Sequence, residues 1–391
     1  HATIRRQRQM CIRDRIALST SALALPGIAE ADTPPLTSSL SYKISNYQED
    51  ELSREQVPFG ELERYDIDVH QFQFISPLGR DYALFINANH ENMSGASPWF
   101  STAGTNGQPV INMSGASGIY DSRSEVSIGA RYYGTRGNIG GAIGYSEEND
   151  YRAKYFSMSG SRNFNNDLTT LTVSLSHSDD SIFPSDAERF NRVRHENKRA
   201  SSVAVSLSQV LNPVASFQTA LSLTGQSGFL SDPYKLQDSR PDGKTQIAFA
   251  NSLRYFFIEA DGALQSDYRY YRDDFGVRSH TLDLSWFQNV TRSLKIVPML
   301  RYYSQTAADF YTNIDDFLKP LSESQSSDYR LSAFGAVSGG LSVVADFGGW
   351  SATLTAERYV ANEKYSAFTV DQPSPGLVKF TRLSLGVNYS F

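Results

Sequence analysis

In Asp66-Ile67-Asp68-Val69-His70, three polar side chains sit two residues apart. On an extended strand this spacing puts both carboxylates and the imidazole on one face. Such a trio can ligate a divalent metal, and an Asp-x-His pair can orient a general base. A rim hydrolase or metal site at Asp66, Asp68 and His70 is therefore one reading, with Asn87, Asn89 and Glu91 on the following strand as the nearest candidate neighbours. A hydrolase needs a second matched group, which spacing alone does not supply. A polar stripe along the lumen of a barrel accounts for the same residues without any such partner. Elsewhere, Asp179, Asp180, Asp186 and Glu188, flanked by His177 and His195, offer oxygens for Ca²⁺. Their spacing matches no cation loop, so a solvated acidic loop is the better reading, and Asn313-Ile314-Asp315-Asp316 is weaker still. The chain carries no Gly-x-Ser-x-Gly, P-loop, dinucleotide fingerprint, cysteine pair or His-Glu-x-x-His. The expectation is no cofactor and no enzymatic activity.

The elements that would position these groups are strands. Leu383, Leu385, Val387, Tyr389 and Phe391 alternate with Ser384, Gly386, Asn388 and Ser390, which is the period of two of an extended chain with one apolar face. The same alternation runs through Leu40–Ile44, Tyr82–Ala88, Val126–Tyr132, Leu171–Leu175, Val203–Leu207, Phe217–Leu223, Leu282–Trp286 and Trp350–Ala356. These runs reach the length of about ten residues that a tilted membrane strand needs. An edge strand ending on an exposed Phe is an aggregation hazard in water. It is tolerable where the strand closes a barrel whose apolar face meets lipid.

Composition agrees. Residues 16–25 form a short apolar run after Arg13 and Arg15, broken by Pro26 and Gly27 and followed by Ala29-Glu30-Ala31. That is the pattern of a signal peptide over 16–31, too short to span as a helix. Residues 1–15 resemble translated sequencing adapter or an atypical n-region. The single cysteine, Cys11, lies before the apolar run, so residues 32–391 have no disulfide or thiol chemistry. Removing five Arg and two acids from the totals of 36 basic and 42 acidic residues leaves a net charge of −9. That argues against a nucleic-acid partner. With 22 Tyr and 23 Phe but no apolar run of 18 residues after the signal, 32–391 reads as an outer-membrane barrel.

Tight, turn-forming segments (76–79, 134–138, 163–167, 211–213, 259–262, 289–292, 347–349) alternate with connections at 49–60, 93–118, 147–150, 179–197, 228–243, 272–277, 305–326 and 363–376, most of them long. The expected fold is all-β: a transmembrane antiparallel up-and-down barrel of about 16 strands. Short periplasmic turns, longer outer loops and periplasmic termini follow from that architecture. The count is good to two strands, since 326–347 reads as one strand or two. Where apolar positions face lipid, their alternates face the lumen. Those expected there are Lys43, Asp66, Asp68, His70, Glu91, Glu125, Arg131, Asp267, Arg269, Asp283, Lys295, Arg301, Arg330, Glu357 and Arg382. They form either a selectivity lining or a salt-bridged core that leaves no passage. A lumen of this strand number is wide enough for water. Any constriction would come from an infolded loop, 93–118 or 179–197. Tyr268, Tyr270, Tyr302 and Tyr329 near strand ends suit an interfacial aromatic girdle.

Two resemblances add to this reading. The terminal strand ending in Tyr389-x-Phe391 resembles the assembly signal of bacterial outer-membrane barrels, which implies the barrel assembly machinery as a partner, with outer-membrane lipid and lipopolysaccharide around the wall. The block Arg64-Tyr65-Asp66-Ile67-Asp68-Val69-His70-Gln71-Phe72 with Ser76-Pro77, and Asp328–Gly335 leading to Ala356-Glu357-Arg358-Tyr359, resemble domain of unknown function 3570. That resemblance implies a Gram-negative exported barrel located in the outer membrane and supplies no activity. Its genomic association with thioredoxin-like and flavin-transferase proteins implies envelope redox or metal handling with periplasmic partners. Three functions thus stand: a pore for small hydrophilic solutes or ions, a non-conducting scaffold for periplasmic partners, and the rim site at Asp66, Asp68 and His70.

Overall fold

The computed structural model describes residues 33–114 and 121–391. The expected signal at 16–31 and residues 1–15 lie outside the described residues. The strands, in chain order, are β1 (Ser39–Glu49), β2 (Asp66–Leu78), β3 (Tyr82–Ser94), β4 (Pro98–Ala103), β5 (Pro109–Met113), β6 (Asp121–Gly134), β7 (Gly137–Glu147), β8 (Tyr151–Phe164), β9 (Thr169–Ile182) and β10 (Glu196–Asn212). Then follow β11 (Ala215–Gly228), β12 (Asp238–Ser239), β13 (Gly243–Phe257), β14 (Gly262–Asp273), β15 (Arg278–Thr291), β16 (Leu294–Gln305), β17 (Gln325–Ser326), β18 (Phe334–Phe347), β19 (Trp350–Asn362) and β20 (Lys379–Ser390). Sixteen of them close one antiparallel barrel in which each pairs with its neighbours in sequence, and β20 returns to β1. β4 and β5 form a hairpin inside one connection, and β12 pairs with β17 between two others. The segment 326–347 is thus one barrel strand, 334–347, preceded by loop.

The connections follow the expected alternation. The tight turns, such as 79–81, 135–136 and 348–349, share one end with Ser39 and Ser390, and the longer connections share the other. At the turn 165–168 three successive residues, Asn165, Asn166 and Asp167, hold φ of 56, 54 and 65. Asn and Asp tolerate that left-handed region best among residues with a side chain.

One face is continuous around the wall. Leu385 lies opposite Ile44, Tyr42 opposite Phe72, Ile128 opposite Ile143, Met158 opposite Leu175 and Leu354 opposite Leu385. Every barrel strand presents at least one well-exposed large apolar side chain on this face, Ile143 reaching 63%. Each half-exposed Leu, Ile or Phe forgoes roughly 1 kcal/mol of burial in water. Repeated on sixteen strands, that would consume the roughly 5–15 kcal/mol of a soluble fold. Lipid removes the penalty.

The opposite face is concave. Tyr155 on β8 donates to Glu125 Oε1 on β6 at 2.6 Å, reaching over β7. It passes Gly144, where a Cβ would stand 2.2 Å from the Tyr155 ring. Only the inside of a curved wall lets a side chain skip a strand in this way, so this face is the lumen.

Candidate functional site

Register places the lumenal groups. Arg301 meets Asp283 directly opposite at 3.4 Å, and Arg382 meets Glu357 at 2.5 Å. Glu125 (2.5 Å) and Glu91 (3.5 Å) share Arg123, which also reaches Glu148 at 3.6 Å. Arg131 donates to Asn138 Oδ1 (2.5 Å) and Ser159 Oγ (3.1 Å), and Asp267 accepts from Gln265 Nε2 at 2.7 Å. Lys43, Arg269 and Lys295 stand on the same inward face by their pairing. Sequence reasoning missed Arg123, although its odd-numbered parity with Glu125 and Arg131 was available to find it.

Four expected lining residues stand elsewhere. Asp66, Asp68 and His70 share the outward face of Phe72, since His70 lies opposite Ile44 and Phe72 opposite Tyr42. Asn46 Nδ2 donates to Asp66 Oδ1 (2.9 Å) and Asp68 Oδ1 (3.1 Å), and the Tyr42 hydroxyl bonds His70 Nδ1 at 2.7 Å. Their apolar alternates Ile67 and Val69 turn inward and pack with Tyr65, Met93 and Tyr47. The reason is position along the strand. Beyond the lipid band the outside is wet and the inside is covered by loops, so the apolar preference changes face within one strand. Among the described residues no group of three or more His, Cys, Asp or Glu is placed to hold a metal ion. Arg330 is the fourth. It lies in the 3₁₀ turn Tyr329–Leu331, inside the connection 306–333, and Asp328 caps that turn by accepting from Arg330 N. Tyr329, expected in the girdle, is buried in this same turn.

The connections at the loop end interlock. The segment 95–120 leaves the third strand of the barrel order, 229–242 the ninth and 306–333 the thirteenth, so contacts among them span the mouth. Leu236 N donates to Trp99 O at 3.1 Å, and Asp315 N to Ser101 O at 3.0 Å. Ser101 N returns a bond to Asp315 Oδ2 at 2.7 Å. Gln56 Nε2 reaches Pro375 O at 3.0 Å, and Arg64, pinned to Glu49 at 2.7 Å, reaches Gly376 O at 2.8 Å. Leu52, Val57, Ala96, Ile111 and Met113 make one apolar core of this lid, and Phe275, Val277, Ala308, Tyr311 and Leu331 another. Gly95 (φ +122) opens the 95–120 excursion where a Cβ would lie 2.1 Å from Arg64 O, a close approach and a φ that only Gly accommodates.

Charge at the centre of the lid is concentrated on Asp328. Arg240 Nη2 reaches its Oδ2 at 2.8 Å while Arg240 Nε binds Asp238 at 2.9 Å, and Arg330 binds Asp328 directly. Burial alone would raise the Asp328 carboxyl, but Arg330, Lys235 and Arg240 hold it well below the usual carboxylate range.

Asp150 is the opposite case. Burial, with Glu148 and Asp121 adding to it, pushes its carboxyl up to about 9. It accepts the Tyr234 hydroxyl, joining 148–150 to 229–242. Ser185 N donates to the same hydroxyl at 3.0 Å. Folded, Asp150 keeps a proton that an unfolded chain loses near pH 4. Its contribution is therefore complete below about pH 4 and lost as pH rises through about 9. Protease cleavage at 183–195 should accelerate severalfold on that rise. Asp150→Asn should flatten the dependence; an unchanged profile in this variant would rule Asp150 out as its source.

The family model described as "Protein of unknown function (DUF3570)" matches residues 15–371. A search of curated proteins gave no match. Among solved structures, the chain is similar to CdiB from Acinetobacter baumannii, with TM-score 0.51 and 7% identity, over 91% of this chain and 60% of that one. It is also similar to a bacterial polysaccharide outer membrane secretin, with TM-score 0.50 and 8% identity, over 93% of this chain and 100% of that one. At these identities the likeness is one of fold: the fold of outer-membrane barrels.

Proposed function

We propose that this chain, which belongs to the DUF3570 family of proteins of unknown function, is a lidded outer-membrane channel for small hydrophilic solutes or ions. The observation that carries this reading is the pairing of a continuous apolar outer face with a concave inner face bearing both charge signs. A barrel with lipid outside and water inside needs that combination. The turns and both termini then face the periplasm and the lid faces out, after removal of 16–31. Outer-membrane lipid and lipopolysaccharide surround the wall, and the barrel assembly machinery inserts it. Asp66, Asp68 and His70, on the outer wall above the lipid, take no part in the passage.

A second reading is favoured by the lid itself. A mouth crossed by bonds from several connections suits a non-conducting scaffold that works through periplasmic partners. Conductance of refolded residues 32–391 in a planar bilayer separates the two. The channel reading expects brief, small openings, and steady steps of nanosiemens order once 98–113 is replaced by a short Gly-Ser link. Silence from both proteins, inserted and folded, would leave the scaffold.

A further inference from the structure

The lumenal charges are not mixed evenly along the axis. At the loop end, cations are matched: Arg123 sits among Glu91, Glu125 and Glu148, and Lys244 pairs with Asp273 at 2.9 Å. Further up, Arg301 and Arg382 are each neutralised by a facing acid, while Arg269, opposite Thr281, is an inward cation there that enters no ion pair among the described residues. The turn end differs. Lys43 is four residues from the start of β1, Arg131 and Arg254 are each three residues from the end of β6 and β13, and Lys295 is the second residue of β16. All four face inward by register.

These strands are first, fourth, tenth and thirteenth in the barrel order, so the four cations fall in four quadrants of one opening. Among the described residues, Lys43, Arg254 and Lys295 enter no ion pair. Arg254 lies opposite Gln265, and the next inward acid, Asp267, is bonded by Gln265 instead. The Arg254 Nε has no hydrogen-bond partner. Arg131 donates to Asn138 and Ser159. Two inward carboxylates lie near this level, Asp267 on β14, two residues beyond the Gln265 opposite Arg254, and Asp346 on β18, two residues beyond the Val344 that pairs with Lys295, and among the described residues neither makes an ion pair. The level therefore carries a surplus of positive charge.

We infer that Lys43, Arg131, Arg254 and Lys295 form an anion-concentrating ring at the turn end of the lumen, so that the solutes of this channel are small anions. A ring of one sign inside low-dielectric walls focuses its field on the bore and raises the local concentration of counter-ions. Rings of Arg and Lys are how a pore favours anions. Four quadrants make the field converge on the axis, where a wall-side cluster would leave an open route past it. The matched pairs further up contribute little to that field, because Arg301 and Arg382 each have an acid within 4.0 Å.

The inference rests on the channel reading, and its test keeps the two apart. The reversal potential across a potassium chloride gradient is measured for the protein lacking the 98–113 hairpin, with and without Lys43→Gln, Arg254→Gln and Lys295→Gln together. Anion selectivity that is lost in the triple variant is the expected result. A cation-selective parent, or a selectivity the triple variant leaves unchanged, overturns the ring while leaving the channel intact. If no current flows, the channel reading has failed, and pyrophosphate titrated calorimetrically into the folded barrel decides the ring. Affinity falling by about tenfold or more in the triple variant supports it; equal or absent binding overturns it. Glutamine keeps side-chain length and hydrogen bonding, and heat-modifiable migration on gels reports whether the variant barrel is closed.

Discussion

Asp328→Ala should open the lid without unfolding the barrel. The carboxylate is 1% exposed, with Arg240 and Arg330 on it, and Asp238, next in the chain of pairs, is bonded by the Ser326 hydroxyl. Taking an acid out of water is costly, and here three cations outweigh that cost, as the depressed carboxyl records. Removing the acid takes from Arg240 and Arg330 the buried carboxylate that both bind. Breaking a buried pair in this way costs about 3–5 kcal/mol. At 1.4 kcal/mol per factor of ten, that raises the open population by roughly two orders of magnitude or more. The effect stays local, because Asp328 lies in a connection and bonds no barrel strand ladder. Protease should therefore cleave within 306–333 far faster in the variant, while the remaining barrel migrates as before on unheated gels. Arg330→Ala should do less, since Arg240 still neutralises the acid. Equal resistance in parent and Asp328→Ala would mean that the apolar cores alone hold the lid.

Phe391→Ser should cut the yield of assembled barrel sharply while changing the melting of what does assemble only slightly. The seam between β1 and β20 runs from Ser39 opposite Ser390 to Glu49 opposite Phe380. Phe391 extends it by two bonds, donating to Ser38 O at 2.9 Å and accepting from Ser38 N at 3.0 Å. Its ring stacks on Tyr389 at 5.4 Å, and Tyr389 stacks on Trp350 at 4.3 Å. Closing this seam joins residues at opposite ends of the chain, so it bears the largest loop-closure entropy in the fold. Until it closes, β20 is an exposed edge open to wrong pairing. Phe391 is 58% exposed, so loss of the ring forfeits about 1 kcal/mol of apolar burial, a small part of the finished barrel but a bias at the moment the edge is captured. A normal outer-membrane yield for the variant would remove the assembly role from Phe391.

Much of the architecture was legible one strand at a time. Alternation at Val126–Tyr132 or Leu171–Leu175 depends only on one side meeting lipid and the other water, and that contrast holds along the middle of each strand. Turn residues such as Asn165–Asp167 mark their own positions through local backbone chemistry. Even the strand count followed, with 334–347 resolving as a single strand. The lumenal parity of Lys43, Asp283, Lys295 and Arg301 came from the same local contrast.

What local pattern could not supply begins where that contrast ends. In β2 the outward stripe changes from Phe72 to His70, Asp68 and Asp66 without any break in the strand. Sequence alone ties Ile67 and Val69 to lipid, and only the loops folded over Tyr65 and Met93 make the inside the apolar side there. Arg330 shows the same limit: its partner Asp328 is close in sequence, but Arg240 is far away. The amino-acid sequence by itself determined strands, turns, the apolar belt and which side of the belt is wet, because each is set by neighbours two residues away. Tertiary structure alone decided the lid, the knot at Asp328 and the quadrants of the cationic ring. Those depend on which strands the closed wall brings face to face, and closure is a property of all sixteen together.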